Sequence, residues 1–198
     1  NLVGRGIDAS KIIVVINGVD SWRYGPRTRN AELAAETGLT NKFVIGYIGT
    51  HGMAHALANV LDTAEKLTDT PAIAFLLAGG GAERDALVAE AKRRGLNNVV
   101  FLERQPKERM SVVWSLCDVA LVHLKDSMVF RDVIPSKMFE AMAMGLPILM
   151  ASPAGEASQI LEHAGAGLHV PAEDPAALGD AVRRLYEDPV LLGGLAAA

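Results

Sequence analysis

Short unbroken apolar runs recur along this chain, and a segment of helical period follows most of them. The runs cover residues 12–16, 43–48, 72–78, 99–102, 118–123, 147–150 and 167–170. They lack polar alternation, as strands do when both faces are covered by helices. Between the runs, Leu57, Val60, Leu61, Ala64 and Leu67 share one helical face. Residues 82–94 form a second helix, with Arg93 and Arg94 in its last turn where they suit the dipole. Pro106 opens a third as an N1 proline, with Met110, Val113 and Trp114 as its buried stripe. Pro135 opens a fourth, lined by Met138 and Met142 and ended by Gly145 and Pro147. Residues 156–164 and 174–186 complete the set, and 30–37 reads as a short helix inside a polar connector. Strands alternating with helices of this length predict an α/β fold: a doubly wound, Rossmann-like parallel sheet flanked by helices.

Composition narrows the function classes. The chain has 198 residues, half of them hydrophobic, with 19 basic and 23 acidic side chains for a net charge of −4. That balance excludes intrinsic disorder and speaks against a general nucleic-acid surface. No apolar run approaches the ~18 residues of a membrane span, and the first ten residues lack a signal-peptide core. A single cysteine, Cys117, excludes an intramolecular disulfide framework and a Cys-rich zinc site. The expectation is a cytoplasmic domain.

Doubly wound sheets bind ligands beyond the carboxyl ends of their strands, and four loops fall there. Gly49-Thr50-His51-Gly52 follows the second run; glycines admit close backbone approach, and a helix start favours an anion, although a strand-to-helix turn needs glycine anyway. Gly79-Gly80-Gly81 is neither GxGxxG nor a P-loop, so a tight turn and a ligand contact both remain open. Arg104-Gln105-Pro106 reads either as a loop facing a base or phosphate or as solvated surface. The fourth stretch, residues 130–147, is the most informative. Asp132 and Glu140 are eight apart, with Glu140 just over one turn into the helix, so both carboxylates can face the space above its N-terminus. Arg131, Pro135, Ser136 and Lys137 lie between or beside them. Free N–H groups and an ammonium there suit a phosphate, and the carboxylates suit sugar hydroxyls. Glu140 by itself would also fit a solvated helix surface.

Read together, these pieces resemble the C-terminal donor-binding domain of a GT-B glycosyltransferase of the group 1 (GT4) family. VVINGVD (14–20) is similar to the family's interdomain "IPNGVD", FVIGYIGTHG (43–52) to its first strand and glycine loop, and AFLLAGGGAERDAL (74–87) to its "GDG" strand and helix. NVVFLERQPKERM (98–110) is similar to "NVxFxGxVpxeem", and PSKMFEAMAMGLPIL (135–149) carries the "EAMAxGxPV" signature. The resemblance implies transfer of a sugar from a nucleotide diphosphate sugar, a UDP-sugar by preference, to an acceptor sugar or lipid-linked glycan. Bacterial surface polysaccharide or glycolipid synthesis is the expected setting, with configuration retained and no metal required. It assigns Glu140 to the ribose hydroxyls and Asp132 to the transferred sugar. Gly49, Thr50, His51, Gly52, Gly79, Arg104, Arg131, Pro135, Ser136 and Lys137 complete the expected donor site. Two departures stand out: Asp132 replaces a glutamate, and Thr50 and His55 occupy the places of a diphosphate-binding Arg and Lys. Phosphate binding then leans on loop amides, the helix start and Lys137.

The resemblance divides the chain into 1–41, the end of an interdomain linker with a leading strand and helix, and 42–198, the donor domain. It also implies an N-terminal acceptor domain absent from these residues, so that the fragment alone is expected to be inactive and the whole protein peripheral on the inner face of a membrane. Alternatives are a non-catalytic nucleotide- or phosphosugar-binding module and a GT-B-type phosphosugar epimerase or synthase. Among lesser residues, His51 and His55 are spaced for a metal but lack a third ligand, and Cys117 reads as a buried thiol. His123 reads as either a cleft residue or a satisfied edge histidine. Trp22 and Tyr24 read as packing residues, and 92–94 and 183–184 as solvated charges.

Overall fold

The computed structural model describes residues 2–15 and 17–197. Six strands form one wholly parallel sheet: β1 (Phe43–Ile48), β2 (Ile73–Ala78), β3 (Val99–Leu102), β4 (Val119–His123), β5 (Ile148–Ala151) and β6 (Gly167–Val170). Their spatial order is β3-β2-β1-β4-β5-β6. The chain winds one way from β1 to β3, then crosses back to β4 and winds the other way. The connections leaving the neighbours β1 and β4 (Ile45 opposite Val119) therefore run to opposite faces of the sheet and leave a crevice at the carboxyl ends.

Among the described residues eight α-helices run as α1 (Ala31–Glu36), α2 (Ala58–Lys66), α3 (Arg84–Arg93), α4 (Met110–Trp114), α5 (Ser136–Ala143), α6 (Glu156–Ala164), α7 (Pro175–Glu187) and α8 (Pro189–Ala196). Side chains alternate across each strand, so the strands β1 to β5 each feed two cores. Val44, Ile48 and Leu76 point to the face holding α1, α4, α5 and α6, around Trp114, Met138 and Leu161. Ile45, Tyr47, Phe75 and Leu77 point to the face holding α2, α3 and α7, around Leu61, Leu87 and Leu178. Coverage on both faces is why the strands read as continuous apolar runs.

Four expectations change. Residues 12–15 form no strand; Ile13, Val14 and Val15 are 86%, 83% and 85% exposed, because no neighbouring strand takes their backbone groups. Ile16, the last residue of that run, lies outside the described residues, as do Asn1 and Ala198. Pro106 caps a 3-10 turn at Lys107–Arg109, and α4 begins only at Met110. The last residues, unassigned from sequence, form α8, capped by Asp188 with Pro189 at its start. Arg94 and Arg183 are not simply solvated. Arg94 bridges Asp62 and Glu90, and Arg183 holds Asp69 at 2.7 Å, so both tie helices to their neighbours.

The polar connector is fastened to the sheet rather than loose. Arg29 reaches Asp118 at 2.5 Å, whose same oxygen accepts the Val44 N–H at 2.8 Å. Arg27 donates to the Ser111 hydroxyl, and Asn17 donates to the Ile134 carbonyl just before α5. These contacts hold residues 17–29 along one side of the crevice.

Candidate donor-binding site

β1 runs into Gly49, whose φ of +154° lies in a region that favours glycine. The loops after β1 and β2 are stitched backbone to backbone: Gly49 N–H to Ala78 O at 2.9 Å, His51 N–H to Gly80 O at 2.8 Å, Glu83 N–H to His51 O at 3.0 Å. A Cβ on Gly79 would stand 1.9 Å from the Gly49 carbonyl oxygen, and one on Gly81 would stand 2.3 Å from that of His51. Close packing of two loops therefore demands glycine at 79 and 81. Gly80 has open space, with the Arg104 Cβ 4.0 Å away as its nearest contact.

On the far side of the crevice α5 starts at Ser136, after Pro135, with no side chain capping its first turn. First-turn N–H groups have no intrahelical partner, so this end can take an anion. Glu140, one turn further, is held from two sides. The Trp114 indole Nε1 donates to its Oε2 at 3.2 Å, and the Tyr24 hydroxyl donates to the same carboxylate. Burial, with Glu140 adding to it, pushes the Tyr24 phenol up to about 12, so it stays a donor at neutral pH. Glu140 is thus a positioned carboxylate and not a freely solvated one.

Lys137 turns behind the β1 loop. Its Nζ lies 3.8 Å over the Tyr47 ring, is buried, and makes no hydrogen bond. A Cβ on Gly49 would meet it at 2.8 Å, so glycine there leaves room for the ammonium. Burial lowers its pKa from 10.5 to about 7, with Glu140 pulling weakly the other way. Tyr47 in turn donates its hydroxyl to the Thr50 carbonyl at 2.7 Å, holding the loop above the lysine.

Three histidines pack beneath the same loop. His51 is fully buried between the Tyr47 and Phe101 rings, and both its nitrogens lack partners. Burial first, then Arg84, Lys137 and His55, lowers it to about 4. His123 donates from Nδ1 to the His55 carbonyl at 2.8 Å and pairs through Nε2 with the Asn59 side chain at 3.0 Å. Burial keeps it neutral too, at about 4. His55 returns a longer bond, 3.3 Å, to the His123 carbonyl, and burial and Lys137 lower its pKa. His123 is a buried residue of a central strand, not an edge or cleft histidine. Cys117 is a buried free thiol raised by desolvation.

One cleft of about 800 Å³ gathers Gly49, Thr50, Gly79, Arg104, Ser136 and Glu140. Lys137 and His51 lie behind its surface, Pro135 sits at the start of α5, and Gly52 falls beside the lining. Asp132 and Arg131 go elsewhere: both are exposed, and Arg131 lines a separate hollow of about 310 Å³ with Asp126, Ser152 and His169. The loop at 128–135 turns them outward before α5 begins. Sequence reasoning missed the connector's share of the cleft: Gly18, Val19, Asp20, Arg23 and Tyr24 line it, while Trp22, expected to pack, is 93% exposed among the described residues. The signal was available in the GVD of residues 18–20, read above only as a linker motif. Among the described residues no group of three or more His, Cys, Asp or Glu side chains stands together as a metal site, and no helix is long and apolar enough to cross a membrane.

The comparisons with known proteins agree with this geometry. The family model "Glycosyl transferases group 1" matches residues 29–195. The chain is 32% identical over 156 residues to a probable glycosyltransferase, WbjE, of Pseudomonas aeruginosa, covering 78% of this chain and 38% of that one. It is 31% identical over 185 residues to the D-rhamnosyltransferase WbpZ of the same species, covering 90% and 45%. The chain thus spans less than half the length of these relatives. Among solved structures, Anabaena HepE in complex with UDP-glucose superposes with a TM-score of 0.80 at 23% identity, over 98% of this chain and 53% of that one. The C-terminal domain of a group 1 glycosyl transferase, LpcC of Francisella tularensis, gives 0.73 at 19% identity, over 90% and 93%. The fold is therefore that of one half of a GT-B enzyme, and by its sequence this chain belongs to the group 1 glycosyltransferases.

Proposed function

We propose that the chain is the donor-binding half of an enzyme that moves a sugar from a nucleotide diphosphate sugar to an acceptor. The observation that carries this is the cleft at the β1/β4 crossover, where an uncapped helix start and a doubly held carboxylate, Glu140, share one wall. The diphosphate lies against Ser136, the Gly49-Thr50 loop and, behind it, Lys137. Glu140 accepts the ribose hydroxyls; Trp114 and Tyr24 leave it oriented to do so. In the reaction, preorganised N–H dipoles and the Lys137 ammonium take up charge on the departing diphosphate without a metal. The incoming hydroxyl attacks on the face the diphosphate leaves, so configuration is retained.

Asp132 contacts the transferred sugar only if its loop swings inward from the exposed position it holds here. The acceptor and the other cleft wall belong to a further domain of the same protein. Exposed Ile13, Val14 and Val15, beside the cleft-lining connector, favour such a partner. The proposed setting is bacterial surface polysaccharide or glycolipid synthesis at the cytoplasmic face of a membrane; a relative named for colanic acid biosynthesis supports the polysaccharide part. Titration calorimetry with GDP, UDP and ADP tests the reading. At least one should bind, and folded protein that binds none of them refutes it.

A further inference from the structure

Three carboxylates line the cleft, Asp20, Glu103 and Glu140. Glu140 is occupied by Trp114 and Tyr24, and Asp20 turns one oxygen to Arg23 at 3.6 Å while its other oxygen is buried without a partner among the described residues, away from solvent. The third, Glu103, follows β3 at the mouth of the cleft. Among the described residues its one ion pair is a long 3.9 Å approach to Arg84, and its side chain is 84% exposed. A carboxylate left unengaged in a binding cleft is a ready acceptor for a ligand's N–H groups.

Its position indicates which part of a donor it meets. With phosphate at Ser136, four residues of α5 carry the site about 6 Å along the helix axis to Glu140 and the ribose. Glu140 touches Trp114 of α4, and the same helix presents Met110 and Val113 to the cleft beside Pro106. Those apolar groups offer a surface for the flat face of a base. Glu103 and Arg104 then stand at its edge.

We infer that Glu103, with Arg104 beside it, makes this a site for guanosine diphosphate sugars. This rests on the donor-site reading above. Guanine presents two adjacent donors, N1–H and the N2 amino group, next to the O6 acceptor. The two oxygens of one carboxylate accept both donors, and a guanidinium donates to O6. Uracil offers a single N–H flanked by two carbonyl oxygens, which a carboxylate repels. Adenine offers an amino group beside a bare ring nitrogen, with the same conflict.

Calorimetry with GDP, inosine diphosphate, UDP and ADP, on the native chain and on Glu103→Gln and Glu103→Ala, tests this. Native protein should bind GDP about ten- to a hundredfold tighter than UDP or ADP, the range of a charge-assisted pair. Inosine diphosphate, which lacks the amino group, should fall between. In Glu103→Ala the GDP-to-UDP and GDP-to-inosine ratios should collapse toward one, and far-ultraviolet circular dichroism should show the fold intact. UDP or ADP binding as tightly as GDP overturns the inference and leaves the donor site standing. So does a Glu103→Ala protein whose preference for GDP persists. Folded native protein that binds no nucleotide overturns both.

Discussion

Replacing Lys137 by Met should make the protein more stable and at the same time a poorer nucleotide binder. The lysine Nζ is buried on the Tyr47 ring with no hydrogen bond, and its pKa falls from 10.5 to about 7. Unfolded, the same group keeps its proton to pH 10.5, so between those values the unfolded chain binds more protons and stability rises with pH. Below about pH 7 the cost of burial is present in full. At pH 7 that shift corresponds to about 4 kcal/mol, and at pH 9 to about 2 kcal/mol. The cation–π contact returns about 1–2 kcal/mol of it. Methionine has a similar reach, no charge to desolvate, and a thioether that suits an aromatic face. The expected net gain at pH 7 is therefore about 2–3 kcal/mol, which for a domain of this size is roughly a 4–12 °C rise in Tm. Urea unfolding of both proteins at pH 6, 7.5 and 9, read as midpoint at constant slope, measures it. The advantage of the variant should shrink by about 2 kcal/mol between pH 7 and pH 9. A destabilised variant, or an advantage that does not change with pH, refutes the account of Lys137 as a strained cation awaiting an anion. Loss of about ten- to a hundredfold in GDP affinity should accompany the gain.

The same lysine predicts proton-coupled binding: at pH 8 a diphosphate that restores its charge should draw in about one proton. Calorimetry in buffers of different ionisation enthalpy should show this uptake, and Lys137→Met should abolish it. Gly79→Ala places a Cβ 1.9 Å from the Gly49 carbonyl oxygen and should cost more than about 2 kcal/mol in thermal unfolding. Gly80→Ala, with open space, should cost under about 1 kcal/mol. Glu140→Ala should weaken GDP binding by at least about tenfold, since it removes a positioned, charged acceptor. Asp132→Ala should leave GDP affinity within about twofold in the same titration, because Asp132 is exposed and lies outside the cleft lining.

All six strands of the sheet were legible in the sequence, to within a residue or two at their ends, because a strand buried on both faces must be continuously apolar. The Trp114 and Met138 stripes likewise announced which helix faces lie inward. The run at 12–16 carries the same β-branched pattern and yet 12–15 is not a strand. Pattern reports what a segment can pair with, whereas pairing needs a neighbour with free backbone groups. The missed α8 is a weaker lapse: Asp188 and Pro189 signal its start, but Gly193 and Gly194 argue against a helix interior. Within the site, spacing correctly set Glu140 one turn into α5, but spacing alone could not say that the loop before α5 turns Asp132 outward.

The order of residues by itself determined the layered α/β architecture, the carboxyl-end loops as the candidate site, and the helix start at Ser136 with Glu140 above it. These follow from periodicity and local backbone rules, which act over a few residues. Only the tertiary structure decided who holds Glu140, what lies behind Gly49, why Gly79 and Gly81 must be glycine, and that the connector at 18–24 forms part of the cleft. Each of those depends on groups far apart in the chain being driven into contact: Tyr24 and Trp114 on one carboxylate, Lys137 on Tyr47, one loop backbone laid against another. Burial creates those neighbours, and burial is also what moves the lysine and histidine protons, so the site's charge could be known only after the chain was folded.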